Sequence, residues 1–169
     1  LSLVGSEMCI RDRLCMDNGS RPDRRGRPTG PPESGPLTLA VIVSVPTVDG
    51  LSQAAATTGC TVRVVVEMDT GGGRVGTQSP ADTLALARHI DQSSSLDFMG
   101  VMTYPSNERA RPFLDEVRDL ANRAGLPLHI ISGGGTGSEE ISKSLGCTET
   151  RIGSYAWEGM TRVGKREDL

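Results

Sequence analysis

Apolar positions along this chain follow two rhythms that alternate. Leu37 to Val45 is a near-continuous apolar run rich in β-branched residues, which predicts a strand covered on both faces. Pro46 and Thr47 stop it, and Thr47 is placed to cap a helix reaching about Thr58, where Gly59 ends it. Val62 to Met68 is the second apolar run, and a loop follows over Asp69 to Gly76. Ser79-Pro80-Ala81-Asp82 opens the next helix with a cap, a proline and a first-turn acid. Leu84, Ala87 and Ile90 share one face of it. Leu96 to Thr103 is the third strand. Phe113, Leu114, Val117, Leu120, Ala121 and Ala124 recur at three- and four-residue steps, so a helix opens between Asn107 and Pro112 and closes at Gly125. Leu128 to Ile131 is the fourth strand, with His129 inside it. A short helix from Ser138 to about Leu145 and a strand-like piece over Glu149 to Ile152 complete the pattern.

Strands alternate with helices, and the strands are apolar on both faces. That pattern belongs to an α/β fold with parallel strands covered by helices. A doubly wound sheet and a (β/α) barrel both fit it. Either one binds ligands at the carboxyl ends of its strands, so the residues just after each strand are the informative ones. Residues 1 to 36 read differently. Arg21, Pro22, Arg24, Arg25, Gly26, Arg27 and Pro28 sit in a stretch with too little apolar surface to offset the entropy of ordering. This segment is expected to stay disordered, 37–162 to form the folded domain, and 163–169 to be a truncated tail.

Composition narrows the partners. The formal charge is −3 and the pI about 5.4, which disfavours a nucleic-acid footprint. Two Phe, two Tyr and one Trp leave little surface for stacking bases. No apolar run is long enough for a membrane span. The first residues carry no basic, apolar export signal, and they lack an initiator Met, so a truncated or mis-assembled reading frame is expected. Cys9, Cys15, Cys60 and Cys147 form no CxxC pair, and His89 and His129 stand apart from them. No metal site is expected from this chain, and its thiols read as reduced, in a cytoplasmic protein.

The richest strand end is His129-Ile130-Ile131-Ser132-Gly133-Gly134-Gly135-Thr136-Gly137-Ser138. Backbone without side chains approaches an oxyanion closely, and a helix start offers it N–H groups. A phosphate cradle and a plain strand-to-helix turn are both open on these residues alone. The other strand ends add Asp69-Thr70-Gly71-x-x-Arg74-x-Gly76, Met102-Thr103-Tyr104, and Arg151-x-Gly153-Ser154-Tyr155.

Together, in this order and spacing, the four stretches resemble the alanine racemase N-terminal-domain barrel. The branch they look most like is that of the D-threonine aldolase and D-serine dehydratase-like enzymes, which use pyridoxal 5'-phosphate. The resemblance covers about Leu37 to Arg162. It implies a partial (β/α)8 TIM-type barrel, with about four to five β/α units present. It implies that Ser132, Gly133, Gly134, Gly135 and Thr136, with Gly153, Ser154 and Tyr155, hold the cofactor phosphate. Tyr104 falls where racemases place a histidine against the cofactor ring, and Arg151 resembles the arginine facing the pyridine nitrogen. Arg74 and Tyr104 are the residues expected to act in catalysis. Glu67 is expected to pair with Arg74 and fix it beside the cofactor.

The family attaches its cofactor through a lysine at the end of its first strand. Lys143 and Lys165 do not match that position. The aldolase-like enzymes also carry divalent-metal ligands in a C-terminal β domain, which is expected only in the full-length parent. The implied activity of that parent is cleavage of a D-3-hydroxy amino acid to glycine and an aldehyde, with this chain inactive alone. A small D-amino acid is the implied partner, and the resemblance leaves room for a homodimer of the full-length protein. Two rivals stay within the family: amino-acid racemisation, and a non-catalytic pyridoxal-phosphate-binding protein. A third is a doubly wound nucleotide-binding module, against which stands the lack of a Walker lysine after Gly133 to Gly137.

Overall fold

The computed structural model describes residues 21–22, 28–29 and 39–151. Strands β1 (Arg21–Pro22) and β2 (Pro28–Thr29) pair antiparallel within the segment expected to be disordered. The rest of 1–38, and all of 152–169, lie outside the described residues. From there the chain alternates strictly: β3 (Leu39–Ile42), α1 (Val45–Thr58), β4 (Val62–Met68), α2 (Pro80–Gln92), β5 (Leu96–Thr103), α3 (Ala110–Ala124), β6 (Ile130–Gly134), α4 (Glu139–Ser144) and β7 (Glu149–Arg151).

The five strands from β3 to β7 form one sheet in sequence order, and every neighbouring pair is parallel. A doubly wound sheet must reverse its strand order to place helices on both faces. Here the order never reverses, so the right-handed crossovers carry every helix to the same side. The sheet is that of a partial TIM-type barrel, as the resemblance implied.

Side-chain alternation divides the sheet into two faces. Ile42, Val64, Val66, Met68, Leu96, Phe98, Val101 and Ile131 belong to one continuous core with Val48, Leu86, Ile90, Leu114 and Val117 of the helices. Arg63, Val65 and Glu67 alternate with those β4 residues onto the opposite face. Val41 is 45% exposed, so the edge strand β3 is not covered on both faces as its composition suggested.

Two boundaries differ from the sequence reading. The first strand ends at Ile42, and α1 starts at Val45 with Ser44 as its cap and Pro46 in its first turn. Proline is tolerated there because the first-turn N–H groups have no intrahelical acceptor in any case. Thr47 is therefore inside the helix, its hydroxyl 2.9 Å from that of Ser44. The fourth strand starts at Ile130 and runs on through Gly134, because Ser132 to Gly134 pair with Glu149 to Arg151. Leu128 and His129 precede it, and His129 is exposed. The other elements match. Ser79 caps α2, Gly59 and Gly125 end α1 and α3, and α3 opens at Ala110 inside the expected window.

Candidate active site at the strand ends

Parallel strands bring Met68, Thr103, Gly134 and Arg151 to one edge of the sheet. The loop after β4 is built on a carboxylate. Asp69 Oδ1 accepts the N–H groups of Gly71 (3.0 Å), Gly72 (2.8 Å) and Gly73 (3.0 Å), and Oδ2 accepts that of Arg74 (3.1 Å). These bonds favour the ionised form and hold the Asp69 carboxyl below the usual range. Gly76 closes the loop at φ 123°, and a Cβ there would lie 2.6 Å from Asp69 N. Only glycine lets the chain return so close to its own start. At the stem, Thr77 N–H donates to Glu67 O (2.9 Å) and Asp69 N–H to Thr77 O (3.0 Å). The buried hydroxyls of Thr70 and Thr103, 2.6 Å apart, tie the loop to the end of β5.

The next residue is Tyr104, 39% exposed. Arg74 Cζ lies 5.3 Å and Arg151 Cζ 5.8 Å from its ring centroid, both within cation–π range. Arg151 is the more firmly held of the two. Its Nε donates to Ser132 Oγ (2.9 Å) and its Nη2 to Thr103 O (2.7 Å). Burial lowers the pKa of Arg151, opposed by the charge of Glu67.

Glu67 sits half-buried on the same face. Burial raises its pKa, and the charges of Arg151 and Arg74 oppose the rise. Among the described residues Glu67 and Arg74 form no direct ion pair. The expected pairing is thus replaced by interaction through space, with Arg74 drawn over Tyr104 instead.

The glycine run has a different build from an open loop. Gly134 N–H donates to Ser106 Oγ (2.9 Å), Gly135 N–H to Arg151 O (3.2 Å), and Gly137 N–H to Glu139 Oε1 (3.0 Å). Ser138 Oγ donates to the carbonyls of Gly134 (2.8 Å) and Gly135 (2.7 Å). The strand glycines make room for neighbours. A Cβ at Gly134 would lie 2.8 Å from Arg151 Nη2 and 3.1 Å from Tyr104 Cδ2. One at Gly133 would lie 2.5 Å from Ser142 Oγ and 2.7 Å from Ser106 Oγ. So Ser132, Gly133, Gly134, Gly135, Arg151, Tyr104 and Arg74 do gather at one edge. Thr136 follows in the turn, while Gly153, Ser154 and Tyr155 lie outside the described residues.

The sequence reading missed Ser106 and Ser142, whose hydroxyls are 2.9 Å apart although 36 residues separate them. No local pattern marks such a pair. Asp69 had a signal, since an Asp ahead of glycines favours side-chain-to-backbone turns. The thiol of Cys147 is pushed up by burial, away from the thiolate a nucleophile needs. His89 sits between helices, its Nε2 2.7 Å from Asp49 Oδ1. Among the described residues no group of three or more His, Cys, Asp or Glu side chains gathers as a metal site, and no helix is long and apolar enough to cross a membrane.

Comparison with known proteins bears on the family and the fold. The family model for the alanine racemase N-terminal domain matches residues 38–160. The chain belongs to the alanine racemase N-terminal domain family. A D-threonine aldolase of Arthrobacter sp is 34% identical over 122 residues, 63% of this chain and 32% of that protein. A 3-hydroxy-D-aspartate aldolase of Paracoccus denitrificans is 27% identical over 163 residues, 88% of this chain and 42% of that protein. The crystal structure of D-threonine aldolase from Filomicrobium marinum superposes with a TM-score of 0.64 at 25% identity, covering 70% of this chain and 36% of that one. The chain thus spans less than half the length of each of these relatives.

Proposed function

We propose that this chain is the cofactor-facing part of a pyridoxal-5'-phosphate-dependent aldolase that cleaves D-3-hydroxy amino acids to glycine and an aldehyde. The observation that carries the reading is the Arg74–Tyr104–Arg151 cluster at the carboxyl ends of β4, β5 and β7 of a family barrel. The two sequence relatives are both named as aldolases of D-amino acids, which favours this reading over racemisation.

The residues present fit the cofactor in their chemistry. A partly exposed phenol ring suits a flat heteroaromatic partner, and two guanidinium groups beside it offset anionic substituents. Bound there, the cofactor would supply the electron sink for breaking the bond at the substrate's α-carbon. Tyr104 would face its ring. Arg151, fixed by Ser132 and Thr103, keeps its proton under all working conditions and so would leave a ring nitrogen unprotonated. Ser132, Gly133, Gly134, Gly135 and Thr136, with Gly153, Ser154 and Tyr155, would hold the phosphate. Because Gly134 and Gly135 spend their N–H groups within the protein, the part of Gly134 in that hold would be to let Arg151 and Tyr104 approach.

Lys143, on α4 rather than at a strand end, is the one lysine among the described residues. We assign the attachment lysine and the divalent-metal ligands to other parts of the parent protein, and expect no turnover from this chain alone. The test has two arms. The chain is titrated with pyridoxal 5'-phosphate and binding followed by absorbance, where Tyr104→Ala and Arg151→Ala are each expected to weaken it about tenfold or more. The parent protein is assayed for aldehyde release from D-threonine and 3-hydroxy-D-aspartate. Racemisation of D-alanine without aldehyde release, or binding indifferent to both variants, would overturn the reading.

A further inference from the structure

We propose that Asp69 is a positioning residue, whose carboxylate folds the loop after β4 so that the Arg74 guanidinium lies over Tyr104. This inference rests on the reading of the same strand-end site given above. Gly71, Gly72 and Gly73 are consecutive, and three glycines in a row are entropically the costliest kind of backbone to order. One side chain does most of the ordering. It accepts four successive amide N–H groups, at 2.8 to 3.1 Å. Hydrogen bonds to an ionised acceptor are stronger than neutral ones.

Arg74 shows where this matters. Among the described residues its guanidinium makes no hydrogen bond or ion pair, and its contact is the ring of Tyr104 at 5.3 Å. No hydrogen bond pins the tip of the side chain, where the Tyr104 ring and the through-space charge of Glu67 act on it. Its place is set by its backbone, and that backbone donates to Asp69 Oδ2. The division of labour between the two oxygens is uneven. Oδ1 accepts from the three glycines and Oδ2 from the Arg74 N–H, and the Gln78 side chain also acts on the carboxylate. Asp69→Asn therefore makes a selective change. It keeps one carbonyl oxygen for the glycines and turns a donor toward a donor at Arg74.

Three measurements test this on the full chain. In wild type, the Gly71 to Arg74 amides should exchange slowly for so exposed a loop, and free exchange would overturn the proposal without any variant. By NMR, the Arg74 Nε–H signal should carry a ring-current shift that is lost in Tyr104→Leu and also in Asp69→Asn. A signal unmoved in Asp69→Asn overturns the proposal. Affinity for pyridoxal 5'-phosphate should fall about 2- to 10-fold in Asp69→Asn, and the same change made in Arg74→Ala should cost less than about 2-fold. A merely structural loss would persist in that background and overturn the proposal. If wild type binds no pyridoxal 5'-phosphate, the functional reading fails, while the exchange and NMR arms still decide the role of Asp69.

Discussion

Glu67 carries a cost that its neighbours only partly offset. Its carboxyl is half-buried, so the ionised form loses hydration, and neither Arg74 nor Arg151 comes close enough to pair with it directly. Its folded pKa is raised, so the native state keeps a proton that the unfolded chain has already released. Stability therefore falls as pH rises from the ordinary carboxylate value through the raised one, and stays lower above it. Glu67→Gln removes the titration. Its urea midpoint should match that of wild type near about pH 3.5 and exceed it near about pH 7.5. A wild-type advantage at the higher pH would show that the through-space attraction to the two arginines outweighs the desolvation. The buried glycines work at the same scale. At Gly133 and Gly134 the missing Cβ is the space taken by Ser142, Ser106, Arg151 and Tyr104, so these glycines are packing residues before they are ligands.

The helices were readable wherever a cap and a periodic face occur together. In α2, Ser79 Oγ accepts the Asp82 N–H at 3.1 Å and donates to Asp82 Oδ2 at 2.7 Å. Thr83, Leu86, Ala87 and Ile90 then turn to the core at helical spacing. Ser79→Ala should cost about 1 kcal/mol, seen as a lower urea midpoint with an unchanged slope. An unchanged midpoint would mean that packing alone sets the start of α2. The first strand was harder to bound. Val43, Ser44 and Val45 extend the apolar run of β3 in sequence, yet the chain turns into α1 there. Apolar composition does not mark where a buried strand ends and a buried helix begins.

In the whole molecule the sheet has two faces with different fates. One is sealed by α1, α2 and α3, while on β3, the edge strand among the described residues, Val41 is 45% exposed, and Val45 at the start of α1 is 46% exposed. An exposed strand edge bearing an apolar residue invites pairing with another chain. The chain is expected to self-associate as its concentration rises, measured by light scattering. Val41→Lys should reduce that association while shifting stability by no more than about 0.5 kcal/mol. Scattering that does not change would place the association elsewhere.

The order of elements from β3 to β7, the parallel α/β character, the Ser79 cap of α2, the glycine ends of α1 and α3 and the loops that meet at the site were determined by local sequence. They depend on periodicity, turn chemistry and neighbours a few residues away. The family was legible too, because its motifs lie at the strand ends, where the fold gathers them. What only the tertiary structure decided is which groups meet. The strand order excluded a doubly wound sheet. Arg74 turned to Tyr104 rather than to Glu67, and the glycine N–H groups found acceptors on Ser106, Glu139 and the carbonyl of Arg151. These are contacts between residues far apart in sequence or competing for one partner. Their outcome depends on distances of a few ångströms that no spacing along the chain encodes.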